Sequence, residues 1–191
     1  MATKLLPAAW LLALALALPA QAAEFNQVVT GKSRIDFVFK QMGVPVSGGF
    51  RAFAAELVFD SAKPEAARAQ VEIDLASVDA GGQEADDEVK SKNWFHIQQF
   101  PKATFVSSSV KALGTDRYQL AGKLTIKGKT RDIVVPVTFK PDGANGLLEG
   151  SFTLKRLDYD IGSGSWGDTD TVADEVQVTF RFLVAAAAAR K

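Results

Sequence analysis

Cysteine is absent from the sequence of 191 residues, and histidine occurs once. These absences exclude disulfides, thiolate catalysis, zinc–thiolate sites and iron–sulfur clusters, and they leave no room for a histidine-rich metal site. Neither sign of charge is in excess, because 22 Lys and Arg balance 22 Asp and Glu. The balance argues against a nucleic-acid partner and against a polybasic membrane anchor. Hydrophobic residues make up 47%, which excludes a disordered chain, and the length suits one domain.

The N-terminus has the pattern of an export signal. Lys4 supplies a positive charge, Leu5–Leu18 is a run of mostly leucine and alanine, and Ala20–Ala22 is an A-x-A cleavage site. The alternative is a transmembrane anchor, but the apolar run is shorter than the roughly 20 residues that span a bilayer. We therefore predict a signal peptide at residues 1–22 and a soluble mature domain at residues 23–191, exported from the cytoplasm.

Apolar and polar residues alternate with period two along most of the remaining chain, which is the pattern of strands with one buried face. The pattern occurs near residues 34–40, 50–60, 71–75, 103–105, 118–126, 133–139, 148–154 and 176–182. Turns separate these stretches, and glycines indicate a turn at residue 43 and another at residues 48–49. Segment 83–95 departs from the pattern, and its acids precede its lysines, as in a short helix. About eight strands favour an all-β fold, namely an up-and-down, lipocalin-like antiparallel barrel with one short helix.

The apolar phase of these strands would face the barrel interior, and it is rich in phenylalanine. The candidate residues of a cavity wall are Phe37, Phe39, Phe59, Phe105, Leu124, Ile126, Val135, Val137, Phe139, Phe152, Leu154, Val178, Phe180 and Phe182. Such side chains either fill a barrel of this size or surround one small ligand. Gly122 and Gly150 fall among these inward-facing positions. Their lack of a side chain either leaves a lumen or marks a bend of the barrel. The sequence leaves these alternatives open.

No set of residues indicates catalysis. Gly122–Thr130 resembles a phosphate-binding loop, but its glycines are spaced one residue too far apart, which favours a hairpin. Asp168, Asp170 and Asp174 resemble a calcium loop without the glycine and glutamate that such a loop requires. Any Ser-His-Asp triad would have to use His96, but nothing in the sequence supports that geometry, and His96 is expected to be structural. We therefore predict a protein that is not an enzyme and has no metal site.

Arg156 continues the inward phase of Phe152 and Leu154, so its side chain should point inward at a strand end. A buried arginine requires a partner. One hypothesis pairs it with Asp158 or Asp160. The other makes Arg156 the contact for the anionic head group of a lipid at the barrel mouth.

Five ordered motifs resemble those of the YceI-like family of exported lipocalin-like barrels. They are Gly31–Phe37 (GKSRIDF), Gly43–Phe50 (GVPVSGGF), Lys90–Ser108 (KSKNWFHIQQFPKATFVSS), Tyr118–Gly128 (YQLAGKLTIKG) and Arg156–Gly162 (RLDYDIG). The resemblance extends from about Val28 to Val184. Ala85 and Glu88 depart from it, because many members have arginine and histidine there, so no head-group contact is assigned to these positions.

The resemblance implies an extended barrel with a helix over one end and an elongated apolar cavity for a polyisoprenoid or a similar long-chain lipid. It also implies a periplasmic location, and it makes a homodimer an expected assembly. We therefore predict a periplasmic carrier of an amphipathic lipid of quinone or polyprenyl type, with the lipid as its bound molecule in place of a cofactor. The alternative is an accessory, stress-related module with a filled barrel that acts with a membrane redox protein.

Overall fold

The computed structural model describes residues 24–186, so the predicted signal peptide at residues 1–22 lies outside the described residues. The strands are β1 (Glu24–Val28), β2 (Arg34–Gln41), β3 (Val44–Phe50), β4 (Phe53–Asp60), β5 (Arg68–Asp74), β6 (Val78–Asp79), β7 (Lys102–Gly114), β8 (Arg117–Ile126), β9 (Lys129–Asp142), β10 (Asn145–Lys155) and β11 (Glu175–Ala186). Within the described range there is one α-helix, α1 (Gln83–Lys90). None of the helices described has the length and hydropathy to cross a lipid bilayer.

The strands close into an antiparallel barrel. Its order is β1, β4, β5, β7, β8, β9, β10 and β11, and β11 pairs back onto β1. The first part of β11 (Gln177–Arg181) pairs with β2, whereas its end (Val184–Ala186) pairs with β1. Because β2 also pairs with β3, and β3 with β6, these three strands extend the wall at what we call the upper end. The predicted all-β, eight-stranded antiparallel barrel with one helix is confirmed.

Helix α1 is shorter than the predicted helical segment at residues 83–95. It ends at Lys90, and the following residue, Ser91, has extended backbone. The backbone N–H groups of Trp94 and His96 both donate to the Ser91 carbonyl, at 3.1 and 2.8 Å. Residues 91–97 therefore form tight turns in place of a further helical turn.

The predicted break at Gly48 and Gly49 is wrong, because both glycines lie inside β3. The chain turns earlier, at Met42 and Gly43, where both residues have left-handed backbone with φ of 49° and 79°. Gly48 pairs with Phe37 on β2, and a Cβ at this position would overlap the Phe37 ring. The strand uses glycine here to let an aromatic ring lie against its backbone.

Four strand glycines share this arrangement with a phenylalanine ring. The pairs are Gly48 with Phe37, Gly122 with Phe105, Gly146 with Phe139, and Gly150 with Phe180. A Cβ at any of the four glycines would overlap its partner ring. The glycines at 122 and 150 therefore do not widen a lumen by themselves, and Gly122 lies opposite a register shift of β7 between Ser107 and Ser109. They seat a ring against the barrel wall.

Alanine at Gly150 should destabilise the protein by about 1–3 kcal/mol, because its methyl group would displace the Phe180 ring. The matched control is Gly31→Ala, since a Cβ at Gly31 would meet nothing within 4 Å. The control should change the free energy of unfolding by less than about 0.5 kcal/mol. Urea denaturation followed by tryptophan fluorescence measures both variants. Equal stability of the two variants would contradict this account of the ring–glycine packing.

Four aromatic rings close the end of the barrel opposite the extended wall, which we call the lower end. Phe139 lies between Phe25 and Phe59, with ring centroids 4.9 and 4.8 Å away, and Phe59 lies 5.1 Å from Tyr118. All three contacts are edge-to-face, the geometry that aromatic pairs favour. The rings are buried, so the lower end is sealed by packed side chains.

The upper end is covered by chain segments outside the strands. Helix α1 and the turns at 91–97 lie on one side, and Val89 and Trp94 reach the buried cluster there. The segment at 156–174 covers the remainder, with Tyr159 and Val172 buried against the same cluster. Both ends of the barrel are therefore covered, and any route to its interior must pass through the side wall or through movement of a cover.

Candidate functional site

The barrel interior contains two adjoining cavities. The lower compartment has a volume of about 130 Å³ and the upper compartment of about 120 Å³. The junction residues, which border both compartments, are Ile35, Ile73, Leu124, Phe152 and Val178. Only apolar surface faces the two spaces, because alternate side chains along each strand point inward. Side chains therefore do not fill this barrel completely.

The predicted wall residues surround these compartments, with one exception. The lower compartment is bordered by Phe59, Phe105, Val135, Val137, Phe180 and Phe182, the upper one by Phe37, Phe39, Ile126 and Leu154, and both by Leu124, Phe152 and Val178. Phe139 borders neither, because it lies in the aromatic group that seals the lower end. These are positions in the fold, and a role of the residues in binding stays a prediction.

The size and chemistry of the compartments favour hydrocarbon over water. An internal water needs roughly 10–15 Å³ and two to four polar partners. The compartments have the volume, but their walls lack the polar partners. Apolar cavities of this kind stay dry and take up apolar molecules. The interior can therefore accept a hydrocarbon chain but offers no group that would hold a polar or charged one.

Arg156 is buried as predicted, but its partners differ from both hypotheses. Nη1 donates to the carbonyl oxygens of Ile161 and Gly162 (both 2.9 Å), Nη2 to those of Trp166 and Val172 (both 2.7 Å), and Nε to that of Ala173 (3.1 Å). These bonds use every N–H of the guanidinium. The expected ion pair with Asp158 or Asp160 is therefore wrong. The head-group contact is not supported either, because Arg156 has no donor left for a ligand.

The surroundings of Arg156 stabilise a buried cation. Burial lowers the pKa of its guanidinium, and the carboxylate of Asp174 partly offsets that effect. The Trp94 ring centroid lies 5.7 Å from the guanidinium carbon, within the range of a cation–π contact. An arginine stays charged in proteins, so the carbonyl dipoles and the ring supply the stabilisation that water would give. Arg156 thereby ties residues 161–173 to the upper end of the barrel.

The acidic segment that resembles a calcium loop forms a turn. The Asp168 carboxylate accepts hydrogen bonds from the Asp170 N–H (3.0 Å) and the Thr171 hydroxyl (2.9 Å). These bonds lower the pKa of Asp168. Across residues 24–186, no three histidine, cysteine, aspartate or glutamate residues converge to hold a metal ion.

The remaining motifs also have structural explanations. The loop that resembles a phosphate site is the β8–β9 hairpin, whose turn residues Lys127 and Gly128 have φ of 48° and 72°. The ring of His96 packs edge-on against Phe100, with centroids 5.9 Å apart. Neither arrangement positions a nucleophile beside a base.

Some residues that border the cavity were not predicted as its wall. The lower compartment also contacts Leu57, Arg68, Val110 and Tyr118, and the upper one Phe50, Leu75, Val89, Trp94 and Phe95. Most of the upper set lies on the short helix and the turns that follow β5, where the alternation of strands gives no signal. Arg68 is the charged residue beside the lower compartment, and Arg156 is the one beside the upper compartment.

Comparison of the chain with protein-family models and curated proteins gives two matches. The family model described as YceI-like domain matches residues 27–184. A protein of Azotobacter vinelandii named UPF0312 protein is 32% identical over 134 residues, a region that covers 66% of this chain and 70% of that protein.

Two solved structures have a similar fold. The structure of BcnA from Burkholderia cenocepacia is 43% identical with a TM-score of 0.81, and it covers 82% of this chain and 99% of its own. A polyisoprenoid binding domain from Saccharophagus degradans, described as implicated in plant cell wall breakdown, is 17% identical with a TM-score of 0.64. The match covers 87% of this chain and 100% of that domain. At this identity the similarity concerns the fold alone.

Proposed function

We propose that this chain, which belongs to the YceI-like family, binds the hydrocarbon chain of a long amphipathic lipid inside its barrel. The observation that carries the proposal is the wholly apolar surface of the two adjoining compartments in a closed barrel. The Saccharophagus degradans domain, which has the same fold, is described as polyisoprenoid-binding. That description supports a polyisoprenoid as the ligand, and we propose one of quinone or polyprenyl type.

Burial of the hydrocarbon chain would supply the affinity. Each buried methylene group contributes about 0.8 kcal/mol. A micromolar complex requires about 8 kcal/mol, which corresponds to roughly ten methylene groups before the cost of ordering the chain is subtracted. We therefore propose that the ligand extends across the junction residues and occupies both compartments.

The proposed role is carriage of the lipid outside the cytoplasm, without chemistry on the ligand. The export pattern at residues 1–22 supports a periplasmic location, where a water-insoluble lipid needs a carrier to move between membranes. The alternative, an accessory module that acts with a membrane redox protein, requires a barrel filled by side chains. The two compartments argue against a filled barrel.

Native mass spectrometry of the protein, purified without detergent from the exported fraction, tests this proposal. We expect a discrete added mass that passes into organic solvent and has the fragmentation pattern of an isoprenoid. The matched control is the same protein after organic extraction, which should regain the added mass on incubation with membrane lipid extract. An unmodified mass before and after that incubation would refute lipid binding.

A further inference from the structure

The ladder of backbone hydrogen bonds in the barrel wall has a gap beside the lower compartment. The last pair between β5 and β7 joins Gln70 to Val106. β7 nevertheless continues to Gly114, and in the described residues this continuation pairs with β8 alone. The Ala69 N–H donates to the hydroxyl of Ser107 (2.9 Å) where the next backbone partner would be. The ladder of backbone hydrogen bonds is therefore interrupted on this side.

Arg68 and Val110 stand on the two sides of the gap, and both border the lower compartment. The short turn at Pro64–Ala66, which precedes β5, packs against β7. Arg68 is exposed to solvent, yet no polar surface faces the compartment. Its hydrocarbon stem therefore borders the cavity while its guanidinium lies in water.

The guanidinium of Arg68 retains donors for a further partner. Nη1 donates to the carbonyl oxygens of Ala67 (2.7 Å) and Glu65 (3.4 Å). Within residues 24–186, no carboxylate lies in ion-pair distance of Arg68, and neither Nε nor Nη2 donates to a protein acceptor. Arg156 differs in this respect, because all its donors are used by backbone carbonyls.

We infer that the gap beside Arg68 is the mouth of the cavity, and that the Arg68 guanidinium binds an anionic head group, a phosphate or carboxylate, of the lipid whose chain fills the barrel. The inference rests on the proposed lipid binding and adds the charge and the position of the head group. Free N–H groups of a planar guanidinium match the paired oxygens of these anions. The chain enters first, and the head group stays at the surface because the interior offers it no polar partner.

Calorimetric titration with geranylgeranyl monophosphate and with geranylgeraniol tests the inference, because the two probes share a chain and differ in head-group charge. At low ionic strength, the wild-type protein should bind the phosphate about tenfold more tightly than the alcohol, as charge-assisted hydrogen bonds at a partly exposed site imply. Arg68→Met should abolish this preference and leave the affinity for the alcohol unchanged. Arg68→Lys, which keeps the charge without the fork of donors, should retain part of it.

Arg131→Met is the matched control. Arg131 is also exposed, donates to a neighbouring backbone carbonyl and borders neither compartment. The control removes the same charge and should keep the full preference for the phosphate.

The outcomes separate this inference from the proposed function. If Arg68→Met keeps the phosphate preference, or if the wild-type protein binds the alcohol equally or more tightly, the inference is overturned and lipid binding stands. The second outcome would place the head group away from Arg68. If neither probe binds any variant, the proposed function fails, and the inference fails with it.

Discussion

Replacement of Arg156 by methionine should lower the free energy of unfolding by about 3–5 kcal/mol, because each buried backbone carbonyl that loses its donor costs about 1–3 kcal/mol. Methionine preserves much of the apolar stem but leaves the carbonyls of Ile161, Gly162, Trp166, Val172 and Ala173 without their donor. For a domain of this size, the melting temperature should fall on the order of 10 °C. Thermal melting and urea denaturation measure the change.

Lys155→Met is the control for Arg156→Met. Lys155 is exposed, and its replacement removes the same charge from the adjacent position. Its free energy of unfolding should stay within about 0.5 kcal/mol of the wild-type value. Arg156→Lys should fall between the two, because an ammonium group offers three donors and cannot reach all of the carbonyls. If Arg156→Met and Lys155→Met melt together, the carbonyl cluster does not stabilise the upper end.

Tryptophan at Val178 should divide the cavity and prevent the binding of long chains. Val178 borders both compartments and pairs with Phe152 and Phe37 on the neighbouring strands. An indole at this point fills the junction, so a ligand keeps one compartment and loses the other. We expect geranylgeraniol to bind at least about 100-fold more weakly, since loss of four or more buried methylene groups exceeds about 3 kcal/mol. Geraniol, half as long, should lose much less.

The affinities can be measured by calorimetric titration, with Val134→Trp as the control. Val134 is 55% exposed and points away from the cavity, so its replacement should not alter the affinity for either alcohol. Overpacking at Val178 should itself cost about 1–3 kcal/mol of stability, which a melting curve detects separately. If Val178→Trp is folded and binds both alcohols like the wild-type protein, the ligand does not extend across the junction residues.

The period-two alternation was sufficient to predict most strands, and all but one of the predicted wall residues border the cavity. It failed at β3, where Gly48 and Gly49 resemble a turn. These residues are within a strand because the Phe37 ring occupies the space of a side chain at Gly48. It also failed at β1, because the five residues of Glu24–Val28 are too few for a clear alternation. The alternation predicts correctly that the Phe139 side chain points inward, but it does not give the position of a residue along the barrel axis. Phe139 lies among the aromatic rings that seal the lower end and therefore does not border the cavity.

The two arginines show why the polar part of the site was harder to predict. The burial of Arg156 followed from its position in the alternating pattern. Its partners are backbone carbonyls, which occur in every residue, so the residue types in the sequence do not reveal them. Arg68 begins β5 and lacks any special sequence context. Its importance comes from the unequal lengths of β5 and β7, which interrupt the ladder beside it. Relative strand length depends on pairing partners far apart in the chain, and a local pattern does not contain that information.

The position of the last strand has a consequence for how the protein folds. β11 pairs with both β1 and β2, and the bond from the Leu183 N–H to the Ser33 hydroxyl joins residues 150 positions apart. The barrel therefore cannot close until residues 175–186 are available. Such long-range closure makes folding slow, and before it the unfinished sheet presents two unpaired edges that can recruit other chains. A chain that leaves the cytoplasm with its N-terminus first would complete its barrel only when the final strand emerges, and would depend on protection from aggregation until then.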